Sequence, residues 1–273
     1  MDLKKAVVTG LAITVISFTS FAQRGGCVQA EKNTKLFILK TKAMVMLTKN
    51  QAYNDAITKA FKENWKVTPY DFVPISDLKK YLSSYAHSVV LPVNDNSTTT
   101  IAVLRGDRQK KDISNFTKET MIAYADLDGL AFEPSMNDAI YRLPHMVKSM
   151  DNYISEVNKG KIDVSDCTLI RSNTARYYNR NASGLKGKTL LIDNRYEIKG
   201  DLEALYPFSC KLVDKKEIEE AVRNRKAGVC YLVSNYIFDA QTGQVLHMSY
   251  ESLPSKKLGK GFFKELVSNI EGR

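Results

Sequence analysis

The sequence predicts an α/β (or α+β) protein made of two similar β-α-β-α-β-β-α halves, each a mixed sheet covered by helices. Three observations carry this expectation. The 273 residues are 44% hydrophobic and 26% charged, an ordinary globular composition long enough to bury a core without staples. Short apolar runs alternate with stretches of helical period. Finally, a pattern recurs about half a chain apart, which suggests an internal duplication. Laid without gaps over KLVDKKEIEEAVRNRKAGVCYLV (211–233), DFVPISDLKKYLSSYAHSVVLPV (71–93) places Val73 on Val213, Val89 on Val229 and Val93 on Val233. Leu78/Leu82 and Ile218/Val222 put one apolar stripe of each intervening helix toward a sheet.

The elements follow in chain order. Residues 1–22 read as a signal peptide: Lys4 and Lys5 form a positive n-region, residues 6–18 an apolar h-region, and Ser20 and Ala22 a small-residue cleavage site. The apolar run is shorter than the ~20 residues a permanent span needs. Arg24 stands three places before Cys27, where a lipobox wants an apolar residue, so no lipid is expected there. The first half, 23–160, opens with LFIL and MVML (36–47) as strand material. A helix with Tyr53, Ile57 and Phe61 on one face comes next. Beyond the repeated pattern come TTTIAVL (98–104) and ETMIAYADL (119–127) as strands, then a closing helix over 135–157. Residues 161–187 read as a connector loop. The second half, 188–273, gives KTLLID as a strand, GDLEALY as a short helix, the repeated pattern, GQVLHMSY as a strand after the DAQTG turn, and a helix over 258–270. Strands joined through helices are expected to be parallel. This element order resembles that of small α/β modules in several bacterial envelope proteins, in order alone, so no residue or activity is carried over.

Familiar chemistries are missing from the pattern. His87, His145 and His247 have no partner at i+4, so no HExxH site is formed, and they read as structural or surface residues. No nucleophile elbow, Walker A loop or G-x-G-x-x-G phrase is present, so no cofactor is expected. Asp126, Asp128 and Gly129 lack the alternating oxygens and closing Glu of a calcium loop. No zinc spacing or CxxC joins the cysteines, although Cys210 and Cys230 lie in strand-like runs and form a possible disulfide if those strands are neighbours.

Charge and composition point to a contact surface instead. The formal net charge is +10, and residues 23–104 carry 11 basic against 6 acidic side chains. Such a bias suits lipid head groups, an acidic glycan or another anionic surface, or simply keeps the surface soluble; nucleic acid is not expected, because exported proteins seldom meet it. The most unusual stretch, RSNTARYYNRNASG (171–184), shows no helical or strand period and is rich in Arg and Tyr. Arg176, Tyr177, Tyr178 and Arg180 are therefore candidate contact residues, with Arg105 and Arg108 from the basic loop RGDRQKK. The Arg105-Gly106-Asp107 triplet itself reads as loop composition. Together these features predict an exported bacterial envelope protein, periplasmic or extracellular, with no transmembrane span once mature. It would act as a non-catalytic binding or scaffolding module for an unknown envelope protein, glycan or anionic surface. The alternative is a secreted hydrolase assembling its site from distant residues, His145 or His247 with Asp126 or Asp128.

Overall fold

Two five-stranded mixed sheets organise the chain, in a computed structural model that describes residues 33, 35–94, 99–107, 121–126, 139–166, 168–250 and 257–272. In the first sheet β1 (Lys42–Leu47) lies between β2 (Tyr70–Pro74) and β3 (His87–Asn94), parallel to both. Helix α1 (Gln51–Asn64) connects β1 to β2, and α2 (Leu78–Leu82) connects β2 to β3. β4 (Thr99–Arg105) and β5 (Met121–Asp126) extend the sheet antiparallel. Helices α3 (Leu143–Asn158) and α4 (Ile170–Asn179) lead to the second sheet. There β6 (Thr189–Asp193) takes the middle place. The short β7 (Glu197–Ile198) and α5 (Leu202–Leu205) lead to β8 (Cys210–Val213), and α6 (Lys215–Arg223) leads on to β9 (Val229–Val233). β6 is parallel to both β8 and β9, and β10 (Tyr236–Asp239) and β11 (Val245–Met248) follow antiparallel. β12 (Lys257–Leu258) pairs with β7, and α7 (Lys260–Glu271) closes the chain.

The two sheets have the same strand order and the same strand directions: β2-β1-β3-β4-β5 and β8-β6-β9-β10-β11. Their registers differ. Ala43 pairs with Tyr70 and Ser88, and Leu190 pairs with Cys210 and Cys230. The two flanking partners of the middle strand are thus 18 residues apart in the first sheet and 20 in the second, a relative slip of two residues. A two-residue slip keeps every side chain on its own face. It accompanies a nine-residue α6 in place of a five-residue α2.

Helices fill three layers around these sheets. One face of the first sheet carries Met44, Met46, Val89 and Leu91 under α2. Its other face and the inner face of the second sheet share a single core. Ala43, Val45 and Val103 meet Ile57 and Phe61 of α1 and Met146 and Met150 of α3; beyond them lie Ile218 and Val222 of α6 and Tyr231 and Phe238 of the second sheet. The outer face of the second sheet, with Leu190, Ile192 and Leu232, is closed by Phe263, Leu266 and Ile270 of α7. Segments 23–160 and 188–273 are thus joined through a shared helical layer. No helix among the described residues is long and apolar enough to cross a membrane.

Several expectations need correction. LFIL is helical rather than extended: residues 35–37 are helix and Ile38–Lys40 a 3-10 turn, and the strand begins only at Lys42. A short apolar run has no period long enough to choose between the two states, and Thr41, whose amide and hydroxyl both donate to the Ile38 carbonyl, turns the chain into β1. The connector is ordered too, holding α4 and a 3-10 turn at Ala182–Leu185. β10 was hidden within one apolar run, because the turn before it is Ser234-Asn235 with Ser234 at φ 53°. Cys210 and Cys230 are free thiols and not a disulfide. They pair with Leu190 from opposite sides, so roughly 9–10 Å of sheet separates their backbones, beyond the ~7 Å a bridge can span.

Candidate functional site

The exposed face of α4 and the residues that follow α3 line a polar cleft. Glu156, in the last turn of α3, is only 8% exposed, yet it serves three donors. Its Oε1 accepts from Lys159 Nζ at 2.7 Å, and its Oε2 accepts from Tyr177 OH at 2.8 Å and Lys161 Nζ at 3.0 Å. Burial alone would raise this carboxyl; the hydrogen bonds from Lys159, Lys161 and Tyr177 outweigh it and hold the group down at about 2. The same contact acts in reverse on the phenol: burial, then the Glu156 hydrogen bond and charge, push Tyr177 up to about 12.

Lys161, Asp163, Asn173, Arg176, Tyr177 and Arg180 line a cleft of about 100 Å³. α4 presents Arg176 and Arg180 on one exposed face, since residues four apart share a helix surface. Neither guanidinium makes a hydrogen bond or ion pair with any described residue. On the same surface of α4 Asn173 Nδ2 donates to the Asp163 carbonyl at 2.9 Å, and Asp163 Oδ1 accepts the Ser165 amide at 2.9 Å. The Tyr177 ring is edge-on to Tyr178 with centroids 5.4 Å apart and packs against Val157, Ile162 and Val164.

The candidate contact residues are thus divided. Arg176, Tyr177 and Arg180 meet at one cleft. Tyr178, their sequence neighbour, points the other way into the shared core, where burial pushes its phenol up. Arg105, at the end of β4, stacks on Phe37 and Tyr85 at 4.9 and 5.7 Å and lines no part of the cleft. Arg108 lies outside the described residues. The Arg-Gly-Asp triplet is built into the sheet rim: Gly106 N donates to His87 O, Asp107 N to Leu82 O, and Tyr85 OH to Asp107. Lys161, Asp163 and Asn173, which also line the cleft, were not foreseen. They reach the cleft because α4 packs back beside the end of α3, and no spacing in the sequence signals that.

Each of the three histidines has its own neighbours. His87 contacts Ser84 Oγ through Nδ1 at 3.0 Å, and burial, then Lys80 and Lys42, lower its pKa. His145 Nδ1 lies 2.8 Å from the Tyr231 hydroxyl; burial first and Lys148 next bring it to about 4. His247, wholly enclosed between β11 and α7, is lowered to about 4 by burial, with Glu265 Oε1 3.6 Å away. Ser249 donates to that same Glu265 at 3.1 Å and not to the imidazole, so the trio is not a relay from hydroxyl to base. Asp128 lies outside the described residues, as does the side chain of Asp126. Among the described residues no three His, Cys, Asp or Glu gather as metal ligands. No family model matches this chain, and it matches no curated protein and no solved structure.

Proposed function

We propose that this chain is an exported bacterial envelope protein that acts as a non-catalytic binding module, and that the α4 cleft is where it meets an anionic partner. One observation carries the reading: two exposed guanidinium groups, Arg176 and Arg180, stand one helical turn apart with no hydrogen-bond or ion-pair partner among the described residues, beside an ammonium and an immobilised aromatic ring. Planar guanidinium groups donate in forks that fit carboxylate, sulfate or phosphate oxygens. The leader-like residues 1–22 support export.

The test is a titration of the full chain with inorganic phosphate at low ionic strength, followed by calorimetry or amide chemical shifts. Binding that perturbs α4, fades with salt, and is lost in the Arg176→Ala/Arg180→Ala double variant supports the reading. Phosphate that leaves α4 unperturbed overturns the site. Cell fractionation with mass measurement of the N-terminus tests export, which predicts cleavage after Ala22.

A further inference from the structure

We infer that Glu156 is the positioning residue of the anion site: its buried carboxylate fixes one cation of the cleft, Lys161, before any ligand arrives. This rests on the anionic-partner reading above and adds how the site is set. Glu156 holds Lys161 at both ends. The Lys161 amide donates to the Glu156 carbonyl at 2.9 Å, and Lys161 Nζ lies 3.0 Å from Glu156 Oε2. The first contact belongs to the turn that ends α3. There Gly160 takes φ 72°, its amide donates to the Val157 carbonyl at 3.0 Å, and the Lys161 amide closes the return to Glu156. A left-handed glycine with this pair of bonds reverses the chain at a helix end, so the turn fixes where the Lys161 stem starts. The carboxylate fixes where it ends.

A carboxylate is costly in this place. Glu156 is 8% exposed and stands in the last turn of α3, the end of a helix that disfavours negative charge. Lys159 and Lys161 would be solvated without it, since more than half of each side chain is exposed, and ion pairs of exposed ammonium groups add little stability. What separates the contact from a plain staple at a helix end is the identity of the groups that share it. Oε2 serves both Lys161 and Tyr177, and these two line the cleft with Arg176 and Arg180. Ordering a long, rotamer-rich side chain is part of the cost of binding; a cation already held in place has met that cost in advance.

Charge and positioning predict opposite signs for Glu156→Gln, which makes that variant diagnostic. Removing a negative charge beside an anion should tighten binding, whereas losing the holder of Lys161 should weaken it. The measurement is calorimetric titration of the full chain with inorganic phosphate at low ionic strength, with circular dichroism to check that each variant is folded. Glu156→Gln should bind phosphate ~3-fold or more weakly, the order expected when one side chain must be ordered on binding. Lys161→Met should weaken phosphate too. In the Lys161→Met background Glu156→Gln should weaken it no further, because no ammonium is left to position; a merely structural Glu156 would weaken both backgrounds alike. Carbon relaxation at lysine Cε in the unliganded parent needs no variant: Lys161 should be more ordered than the exposed Lys186. The positioning role is overturned, while the anion site stands, by any of four results: unchanged or tighter binding in Glu156→Gln, unchanged binding in Lys161→Met, equal weakening in both backgrounds, or a Lys161 side chain as mobile as that of Lys186. If the parent binds no phosphate, the anionic-partner reading falls and takes the positioning role with it.

Discussion

His145 of α3 and Tyr231 of β9 meet at 2.8 Å across the layer that joins the two sheets, Nδ1 against the phenolic hydroxyl, with Gly243 directly against the imidazole. This is a buried polar contact between a helix from the first half and a strand from the second. A buried pair of this kind is costly to break on one side only, because the remaining atom keeps its desolvation penalty. Tyr231→Phe is expected to destabilise the protein by about 1–3 kcal/mol. Urea unfolding followed by circular dichroism measures it, and a single transition before and after the change would show that the two sheets unfold together.

His145 and His247 should make stability fall on acidification. Both are held at about 4 against an ordinary 6.5, chiefly by burial. Between those limits the unfolded chain binds protons that the folded chain refuses, so the free energy of unfolding drops as pH falls from 6.5 toward 4. The slope approaches about 1.4 kcal/mol per pH unit for each histidine. Glu156, depressed from 4.5 to about 2, adds a second loss at lower pH. Unfolding midpoints measured between pH 7 and 4 should therefore decline, and His247→Leu should remove about half of the slope in that window. A flat profile from pH 6.5 to 4 would contradict the buried neutral imidazoles.

How much of this was legible beforehand depends on which residues carried a period. α1, α3 and α7 announce themselves through apolar positions one turn apart, and β3 and β9 through continuous apolar runs. The parallel pairing of β1 with β2 and β3 followed from their helical connections. α4 escaped because its sequence is polar and its N-cap, Leu169, offers no side-chain bond to the first turn. Its buried face is Thr174, Ala175, Tyr178 and Asn179, a stripe with little hydrophobic contrast. For the same reason Tyr177 and Tyr178 looked alike in the sequence, though successive helical residues point about 100° apart. The rest of the cleft lining, Lys161, Asp163 and Asn173, depends on tertiary packing that composition does not encode.

Cys210 and Cys230 should remain reduced even in an oxidising compartment. β6 stands between their strands, and burial pushes the Cys210 thiol up to about 12 and that of Cys230 up as well. A thiol that stays protonated is a poor nucleophile. Alkylation of the native protein is expected to be slow at Cys210 and slower at the wholly buried Cys230, and to become fast at both in denaturant. Peptide mapping without reductant that finds these two residues joined would contradict the strand order.

Gly106 tests the rim of the first sheet, where the Arg-Gly-Asp triplet lies. A Cβ at this position would stand 2.0 Å from the Ser84 carbonyl oxygen and 2.7 Å from that of His87. Both are backbone atoms, the Ser84 carbonyl accepting the His87 amide and the His87 carbonyl the Gly106 amide, so neither can withdraw without breaking the turn that leads from α2 into β3. Overpacking of this sort costs typically about 1–3 kcal/mol, and more where the obstruction is main chain. Gly106→Ala should therefore lower the thermal midpoint by several degrees. Gly187→Ala, whose Cβ would meet nothing within 4 Å, serves as the matched control and should leave the midpoint nearly unchanged. Equal midpoints for the two variants would mean that the triplet is not packed against Ser84, and the case against reading it as a free adhesion loop would go with it.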